Sequence, residues 1–177
     1  MKAWWRKPSA PPRLSVLMVC MGNICRSPTA EGVLRHKLKA AGMEGVVAVD
    51  SAGTHGYHVG EPPDARAQRH ALARGIDLSS LRGRKVAEPD FERFQFMLAM
   101  DHDNLAELER LRPGAQALQP RLLMDFARRH AGQLIVPDPY YGAPDGFEHV
   151  LDLVDDACDG LLLALQERLS IEADGTS

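Results

Sequence analysis

The sequence predicts an α/β fold, a single doubly wound parallel sheet of about four strands flanked by helices on both faces. Short apolar runs rich in β-branched residues alternate along the chain with longer stretches whose apolar residues follow helical spacing. Strands that alternate with helices pair in parallel through right-handed crossovers, and helices then cover both faces of the sheet. Such folds bind ligands beyond the carboxyl ends of their strands, where we expect the functional site.

Apolar spacing and helix-ending residues define the elements in order. Four apolar residues, Val16–Val19, predict a buried first strand, and helical spacing then runs from Pro28 until Gly42. The first half of the chain is predicted to contain strands at 16–19 and 46–49 on either side of a helix at 28–41, then a polar loop at 50–54 and a helix at 64–74. The second half is predicted to contain a loop with a short helical turn at 76–86, a strand at 94–100, a helix between Asp101 and Pro113, a short strand at 122–126, and a long helix with apolar residues from Phe147 to Leu165.

The composition indicates one compact domain that binds neither nucleic acid nor membranes. With 177 residues the chain can bury a sizeable core, and a net charge of -3 gives it no nucleic-acid footprint. Its apolar runs are all shorter than the ~20 residues that span a bilayer, so we expect no membrane insertion. The three cysteines are an odd number, and two of them lie in one short loop, which favours a reducing, cytoplasmic location.

The domain boundaries are predicted close to the two ends of the chain. Residues 1–13 contain Trp4, Trp5 and several prolines, and they lack the apolar core and cleavage site of a signal peptide. We interpret them as an irregular N-terminal arm, to which we assign no function. Residues 14–172 are predicted to form the folded domain, and residues 173–177 a C-terminal tail.

An anion-binding loop is predicted between the first strand and the first helix. Gly22 and Asn23 tolerate the backbone angles of a tight loop, while Ser27 as N-cap and Pro28 at the first helical position suit a helix start. The backbone N–H groups of such a loop can converge on one point, to which the helix dipole adds positive potential. Arg26 adds a planar fork that can bind two phosphate oxygens at once.

Cys20 ends the first strand at the mouth of this loop. The loop donors would stabilise its thiolate, the nucleophilic form of cysteine, although a buried core cysteine is the simpler interpretation. The segment from Cys20 to Pro28 resembles the signature loop of the low-molecular-weight protein tyrosine phosphatase family, which is a cysteine, five residues, arginine and serine. The resemblance implies a phosphoric monoester hydrolase with Cys20 as nucleophile and Arg26 as phosphate ligand. Cys25 could form a reversible disulfide with Cys20, or it could simply pack.

The resemblance extends to a proline-rich segment far downstream, Val136–Gly142. Asp138 lies there between two prolines that stiffen the backbone on either side, although Asp-Pro also forms ordinary turns. In the family an Asp-Pro-Tyr-Tyr segment supplies the general acid and two aromatic walls of the site. The resemblance therefore implies that Asp138 is the general acid and that Tyr140 and Tyr141 are walls.

The resemblance also implies residues that bind the substrate or support the loop. Ser27 would donate a hydrogen bond to the thiolate, while Asn23 and Ser51 would pin the loop, unless they are plain capping or turn residues. Asp101 resembles a family aspartate at a strand end, and it could instead be a helix N-cap. Leu81 stands where many relatives have a histidine that completes this network. The remaining residues that the resemblance assigns to phosphate or substrate binding are Met21, Gly22, Ile24, Cys25 and Tyr57.

The implied reaction has two steps and needs no metal or cofactor. The thiolate attacks phosphorus and forms a cysteinyl phosphate while Asp138 protonates the leaving phenolate, and water then hydrolyses the intermediate. The loop and Arg26 supply the positive field, and His55 and His58, though close together, match no recognised pattern of metal ligands. The substrate would be a phosphotyrosine protein, such as a bacterial tyrosine autokinase.

Three rival functions remain open at this point. A protein arginine phosphatase has a similar loop but tends to have threonine where this chain has Ile24, and it lacks the tyrosine pair. A thiol-dependent arsenate reductase needs further cysteines, whereas only Cys158 remains, on the apolar face of the last helix. A non-catalytic phosphate-binding module would not need Cys20, Arg26 and Asp138 together.

Overall fold

The computed structural model of the protein describes residues 10–143 and 145–175. Within them, one parallel sheet contains β1 (Leu14–Cys20), β2 (Val47–Gly53), β3 (Phe96–Ala99) and β4 (Arg121–Leu122), in the spatial order β2-β1-β3-β4. The helices of these residues are α1 (Arg26–Ala40), α2 (Ala65–Ala73), α3 (Asp90–Arg93), α4 (His102–Leu111) and α5 (Gly146–Asp174). The predicted fold class is therefore confirmed.

Strand β1 lies between β2 and β3, and its alternate residues face opposite sides of the sheet. Val16 and Met18 are buried on the side that α1 and α5 cover. Leu17 and Val19 are buried on the other side, together with Leu108 of α4. Because β1 is covered on both faces, its residues are almost all apolar, and its carboxyl end emerges at the middle of the sheet edge.

Strand β2 is longer than predicted, and the assignment of residues 50–53 to a loop is wrong. The register pairs Met18 with Ser51 and Cys20 with Gly53, so pairing continues as far as β1 itself does. Parallel pairing uses backbone groups alone, which is why a polar stretch can extend the strand. Ser51 is consequently fixed beside β1 and close to the start of the predicted anion-binding loop, which we call the phosphate loop (residues 20–27).

Other boundaries differ from the predictions by a few residues. Only 121–122 forms a strand in the segment predicted as 122–126, and a 3₁₀ helix occupies Leu123–Phe126. In the segment 76–86, the predicted helical turn is a hydrogen-bonded turn in which Leu81 N–H bonds the Leu78 carbonyl, and a short helix follows at α3. The strand predicted at 122–126 is short because β4 pairs only with the last residues of β3.

Helix α1 begins at Arg26, two residues before the predicted start. Cys25 occupies the N-cap position without a side-chain hydrogen bond to the helix, so the assignment of Ser27 as N-cap is wrong. The Ser27 hydroxyl instead contacts the Cys20 sulfur and the Asn23 amide nitrogen, so it does not cap the helix.

The two ends of the chain differ in how far the structure describes them. Helix α5 continues to Asp174, whereas Trp4 and Trp5 of the predicted arm lie outside the described residues. No helix within residues 10–143 and 145–175 combines the length and the hydropathy needed to cross a membrane.

Candidate active site

The predicted anion-binding loop connects the end of β1 to α1 and is pinned against the end of β2. Thr54 N–H donates to the Cys20 carbonyl at 2.9 Å, and His55 N–H donates to the Met21 carbonyl at 3.0 Å. At Gly53, a Cβ atom would lie 2.7 Å from the Met21 carbonyl oxygen, so only glycine permits this approach. The loop is thereby held by the chain segment that follows β2.

Cys20 is buried, and two groups of the loop approach its sulfur. The Sγ atom lies 3.0 Å from Ser27 Oγ and accepts a hydrogen bond from Asn23 N–H at 3.3 Å. Asn23 has a φ angle of 57°, the left-handed conformation that asparagine adopts more readily than most residues. The sequence predicted that Asn23 tolerates such backbone angles, and this conformation turns the loop back so that the Asn23 N–H faces the sulfur.

A buried hydrogen-bond network supports the loop. The Asn23 amide nitrogen donates to Ser27 Oγ at 2.8 Å and to Ser51 Oγ at 2.9 Å, and its oxygen accepts from Arg84 N–H at 2.9 Å. Ser51 Oγ in turn lies 2.5 Å from Glu31 Oε2. Asn23 and Ser51 are thus in contact, and Glu31 completes a chain of hydrogen bonds that reaches the Cys20 sulfur.

Glu31 was missed in the sequence, although one signal pointed to a change here. Leu81, at the position where the resemblance led us to expect a network histidine, packs against the hydrophobic core. Glu31 is buried, and burial raises the pKa of its carboxyl despite the hydrogen bond from Ser51 and the charge of Arg35 at 2.6 Å. A buried carboxylate is therefore the group that orients Ser51.

Arg26 lies in the first turn of α1 with its guanidinium almost fully buried. One terminal nitrogen donates to Asp101 Oδ2 at 2.5 Å and to the Val136 carbonyl at 3.1 Å. Burial disfavours the guanidinium charge, but the charge of Cys20 and the hydrogen bond that Arg26 donates to Asp101 outweigh it, and the pKa of Arg26 is raised. Asp101 also accepts a hydrogen bond from Asn104 N–H at 2.7 Å, so it is both an ion-pair partner and a helix N-cap.

The segment that contains Asp138 approaches this arginine from the far side. Val136 N–H donates to the Met100 carbonyl at 2.8 Å, which fixes the segment to the end of β3. The Asp138 carboxyl accepts from Tyr140 N–H at 3.0 Å and lies 3.5 Å from the second terminal nitrogen of Arg26. With 42% of its side chain exposed, Asp138 faces an open cavity, which suits a group that exchanges protons.

Cys20, Arg26 and Asp138 line one cavity of about 350 Å³. Its other lining residues are Met21, Gly22, Ile24, Cys25, Tyr57, His58, Tyr140 and Tyr141. All the predicted substrate-binding residues are thus on its wall, apart from Asn23 and Ser27, which are buried and contact the Cys20 sulfur. The predicted supporting residues contact this group, Ser51 through Asn23 and Asp101 through Arg26. The structure therefore brings together the loop and the acid segment, which are more than a hundred residues apart in the sequence.

The mouth of the cavity is aromatic. Tyr140 and Tyr141 meet edge to face with ring centroids 4.7 Å apart, and Tyr57 stacks on His55 with centroids 5.3 Å apart. His58 also lines the cavity, with Nδ1 at 2.7 Å from Glu61 Oε2, and sequence reasoning assigned it no role. A flat aromatic group can contact these rings while its phosphate reaches the loop.

The loop also offers free backbone donors. Among the described residues, none accepts a hydrogen bond from the N–H of Gly22, Ile24 or Cys25. Because these residues line the cavity beside Arg26, their N–H groups are available to an anion bound there. The residues that the structure describes contain no group of three or more His, Cys, Asp or Glu side chains placed to hold a metal ion.

Cys25 is a free, buried thiol in this loop. Burial raises the pKa of its thiol, and the charges of Asp64, Cys20 and Asp138 raise it further. Cys25 is therefore protonated and not nucleophilic at neutral pH.

Most of the chain matches a known protein family. The profile of the family described as low molecular weight phosphotyrosine protein phosphatase matches residues 15–171. A low molecular weight protein-tyrosine-phosphatase of Streptomyces coelicolor is 42% identical over 156 residues, which cover 87% of this chain and 94% of that protein.

Solved structures of related proteins also match most of this chain. The structure of a protein tyrosine phosphatase from Entamoeba histolytica is 38% identical, with a TM-score of 0.82 over 87% of this chain and 97% of that one. The structure of a Drosophila arginine phosphatase is 33% identical, with a TM-score of 0.76 over 85% and 96% of the two chains. The chain belongs to the low molecular weight phosphotyrosine protein phosphatase family, and it is a protein tyrosine phosphatase.

Proposed function

We propose that Cys20, Arg26 and Asp138 hydrolyse phosphotyrosine through a cysteinyl-phosphate intermediate. The observation that supports the proposal most strongly is that these side chains line one cavity, with the sulfur at its base and the carboxyl at its open side. Arg26 belongs to the phosphate loop and contacts Val136 and Asp138 of the segment that contains the acid, so it can hold phosphate oxygens between the nucleophile and the acid.

In the first step the Cys20 thiolate attacks phosphorus, opposite the bond to the aryl oxygen. The S–P bond forms as the P–O bond breaks, and the electron pair of that bond passes to the phenolic oxygen. Protonated Asp138 gives its proton to this oxygen, so a neutral phenol leaves. Arg26 and the free loop N–H groups bind the equatorial phosphate oxygens and stabilise them as charge is redistributed.

In the second step water attacks the cysteinyl phosphate from the side that the phenol has left. The Asp138 carboxylate takes a proton from this water, the new O–P bond forms, and the S–P bond breaks with its electron pair returning to sulfur. Inorganic phosphate leaves, and both the thiolate and the protonated acid are restored. Ser27, as a hydrogen-bond donor to sulfur, stabilises the thiolate both before attack and as it departs.

The substrate is a phosphotyrosine side chain of a protein, and a bacterial tyrosine autokinase is the proposed partner. Support comes from the aromatic mouth, because Tyr140, Tyr141 and Tyr57 offer flat surfaces to the phenyl ring. Phosphoarginine is the closest rival. Ile24 at the cavity wall and the tyrosine pair both favour an aromatic ester over a branched guanidinium.

A reducing, cytoplasmic location fits this chemistry. Cys20, Cys25 and Cys158 are all free thiols, and the mechanism needs the first of them reduced. Residues 14–172 are the proposed catalytic unit, which contains every residue assigned to the reaction.

The test is a comparison of rates on phosphotyrosine, phosphoarginine and arsenate, for the natural protein and for Cys20→Ser and Asp138→Ala. We expect phosphotyrosine to be the best substrate, no turnover by Cys20→Ser, and a loss of about 10²-fold or more by Asp138→Ala. Turnover that survives Cys20→Ser would overturn the proposed nucleophile. Faster turnover of phosphoarginine or arsenate would overturn the proposed substrate.

A further inference from the structure

Arg66, in the first turn of α2, lies between the phosphate loop and the acid segment. Its guanidinium contacts an aspartate on one side and the backbone and ring of Tyr140 on the other. Nothing in the proposed mechanism uses this residue, although its side chain joins the two halves of the site.

On the loop side, the connection runs through Asp64. Arg66 Nε and one terminal nitrogen bind the two carboxyl oxygens of Asp64 at 3.0 and 2.9 Å, a bidentate ion pair. The Asp64 N–H donates to the carbonyl of Ile24, a phosphate-loop residue, at 2.8 Å. Asp64 also caps α2 by accepting from Arg66 N–H at 2.8 Å, so the backbone and the side chain of Arg66 both bind the residue that is bonded to the loop. Arg66 therefore extends from a point that is rigid with respect to the phosphate loop.

On the acid side, the connection runs through Tyr140. The other terminal nitrogen of Arg66 donates to the Tyr140 carbonyl at 3.2 Å, and the guanidinium lies 5.3 Å from the centre of the Tyr140 ring. It also lies 4.8 Å from the centre of the Phe147 ring at the start of α5. Tyr140 N–H is the donor that binds the Asp138 carboxyl at 3.0 Å. The peptide unit that orients the acid is thus one residue from the carbonyl that Arg66 holds.

The Asp138 carboxyl has little else to fix its direction. Its only other contact in the described residues is the 3.5 Å approach of Arg26, which is long for a hydrogen bond, and 42% of its side chain is exposed. Tyr141, the next residue after Tyr140, is 92% exposed and adds no anchor by burial. The position of the acid therefore depends on how firmly the Tyr140 backbone is held.

We propose that Arg66 is a positioning residue for the general acid, which it holds at a fixed distance from the phosphate loop through the Tyr140 backbone. The inference rests on the proposed role of Asp138. A lysine at this position would keep the charge but could not bind Asp64 with two parallel bonds and stack on the Tyr140 ring at the same time. Loss of Arg66 leaves the phosphate loop formed but removes the contact that holds the Tyr140 backbone, and with it the Asp138 carboxyl, in place. Proton transfer to the leaving group is then slowed, whereas phosphate binding is not.

The test compares kcat/KM for a series of aryl phosphates whose phenols range from strongly acidic (4-nitrophenol) to weakly acidic (phenol). This ratio covers the steps up to departure of the phenol, and only poor leaving groups depend strongly on proton donation. For Arg66→Met and Arg66→Lys we expect a loss of about twofold on 4-nitrophenyl phosphate and about tenfold or more on phenyl phosphate. Arg69→Met, at an exposed position of the same helix, serves as control and should leave both rates unchanged.

Two further measurements separate positioning from general damage. Vanadate affinity reports on the phosphate loop and should stay within about twofold in the Arg66 variants. An equal loss on all the esters, accompanied by weaker vanadate binding, would overturn the inference in favour of a purely structural role. Asp138→Asn serves as reference, and it should show the steepest dependence on the leaving group. If it does and the Arg66 variants do not, the positioning role alone is wrong; if Asp138→Asn shows none, the proposed general acid is wrong as well.

Discussion

Ser51 Oγ lies 2.5 Å from Glu31 Oε2, and this contact sets the direction of the hydrogen bonds that reach the nucleophile. The Asn23 oxygen accepts from a backbone N–H, so its amide nitrogen must face the two serine hydroxyls and donate to both. Glu31 Oε2 accepts the hydrogen of Ser51. The hydroxyl hydrogen of Ser27, which already accepts from Asn23, is then left for the Cys20 sulfur at 3.0 Å.

This direction predicts that Ser27 and Ser51 differ in their effect on turnover. Ser27→Ala removes a hydrogen bond to a charged sulfur, a bond worth about 1.5–3 kcal/mol, so kcat/KM should fall roughly 10- to 100-fold. Ser51→Ala acts only through Asn23 and should cost less. Steady-state kinetics at one pH tests the order, with Ser170→Ala on the surface of α5 as control. A larger loss in Ser51→Ala than in Ser27→Ala would contradict the direction of the network.

The buried carboxyl of Glu31 also predicts how stability depends on pH. Burial raises its pKa in the folded protein, so the folded state binds this proton more tightly than the unfolded state does. The free energy of unfolding must then fall as pH rises from the unfolded value of about 4.3 through the higher folded value. Glu31→Gln removes this contribution, so the Tm of the variant relative to the natural protein should rise as the pH increases above about 4.3.

Thermal unfolding across this pH range measures the difference directly. Glu92→Gln, which neutralises an exposed carboxyl on α3, serves as the matched control and should show little change with pH. A Tm difference for Glu31→Gln that stays constant or falls with rising pH would show that the buried carboxyl is not the source.

Asp101 has two roles that one substitution can separate. It binds Arg26 at 2.5 Å and caps α4 through Asn104 N–H. Asparagine caps a helix as well as aspartate does, so Asp101→Asn should leave Tm almost unchanged. It removes the charge that holds Arg26, and we expect kcat/KM to fall about tenfold. A fall in Tm with unchanged kcat/KM would mean that Asp101 serves the helix alone.

Cys25 is predicted to protect Cys20 from irreversible oxidation. Because burial keeps the Cys25 thiol protonated, it should react only after peroxide has converted Cys20 to the sulfenic acid. Mass spectrometry of peroxide-treated protein should find a Cys20–Cys25 disulfide, and thiols should restore activity. In Cys25→Ser the activity should not return, whereas Cys158→Ala should behave like the natural protein. Sulfinic acid at Cys20 in the natural protein, without the disulfide, would count against protection.

The sequence predicted the sheet because local patterns determine it, whereas the roles of Asp138, Tyr140 and Tyr141 were inferred from the family resemblance. Apolar β1, the glycine and asparagine of the loop, and the prolines around Asp138 each restrict the backbone locally. The extension of β2 through Ser51 could not be predicted, since it depends on the register with β1 and not on its own polar residues.

The residues that sequence reasoning missed act through tertiary contacts. Glu31 resembles any polar residue of a helix until α1 packs it beneath the loop against Ser51. Arg66 resembles an ordinary exposed arginine until the acid segment returns beside α2. The Ser27 hydroxyl could have capped helix α1 or contacted Cys20, and the sequence alone did not decide between them. In the structure it lies 3.0 Å from the Cys20 sulfur, and Cys25 occupies the N-cap position.

The central claim is that phosphate is transferred to the sulfur of Cys20 before it reaches water. The measurement that tests this most directly is ³¹P NMR or intact-protein mass spectrometry of Asp138→Asn protein mixed rapidly with an aryl phosphate, because this variant lacks the base that activates water. We predict the signal of a cysteinyl phosphate, with the added phosphate located on Cys20 and absent from Cys20→Ser protein. Phosphate found on another residue, or continued turnover by Cys20→Ser, would contradict the account.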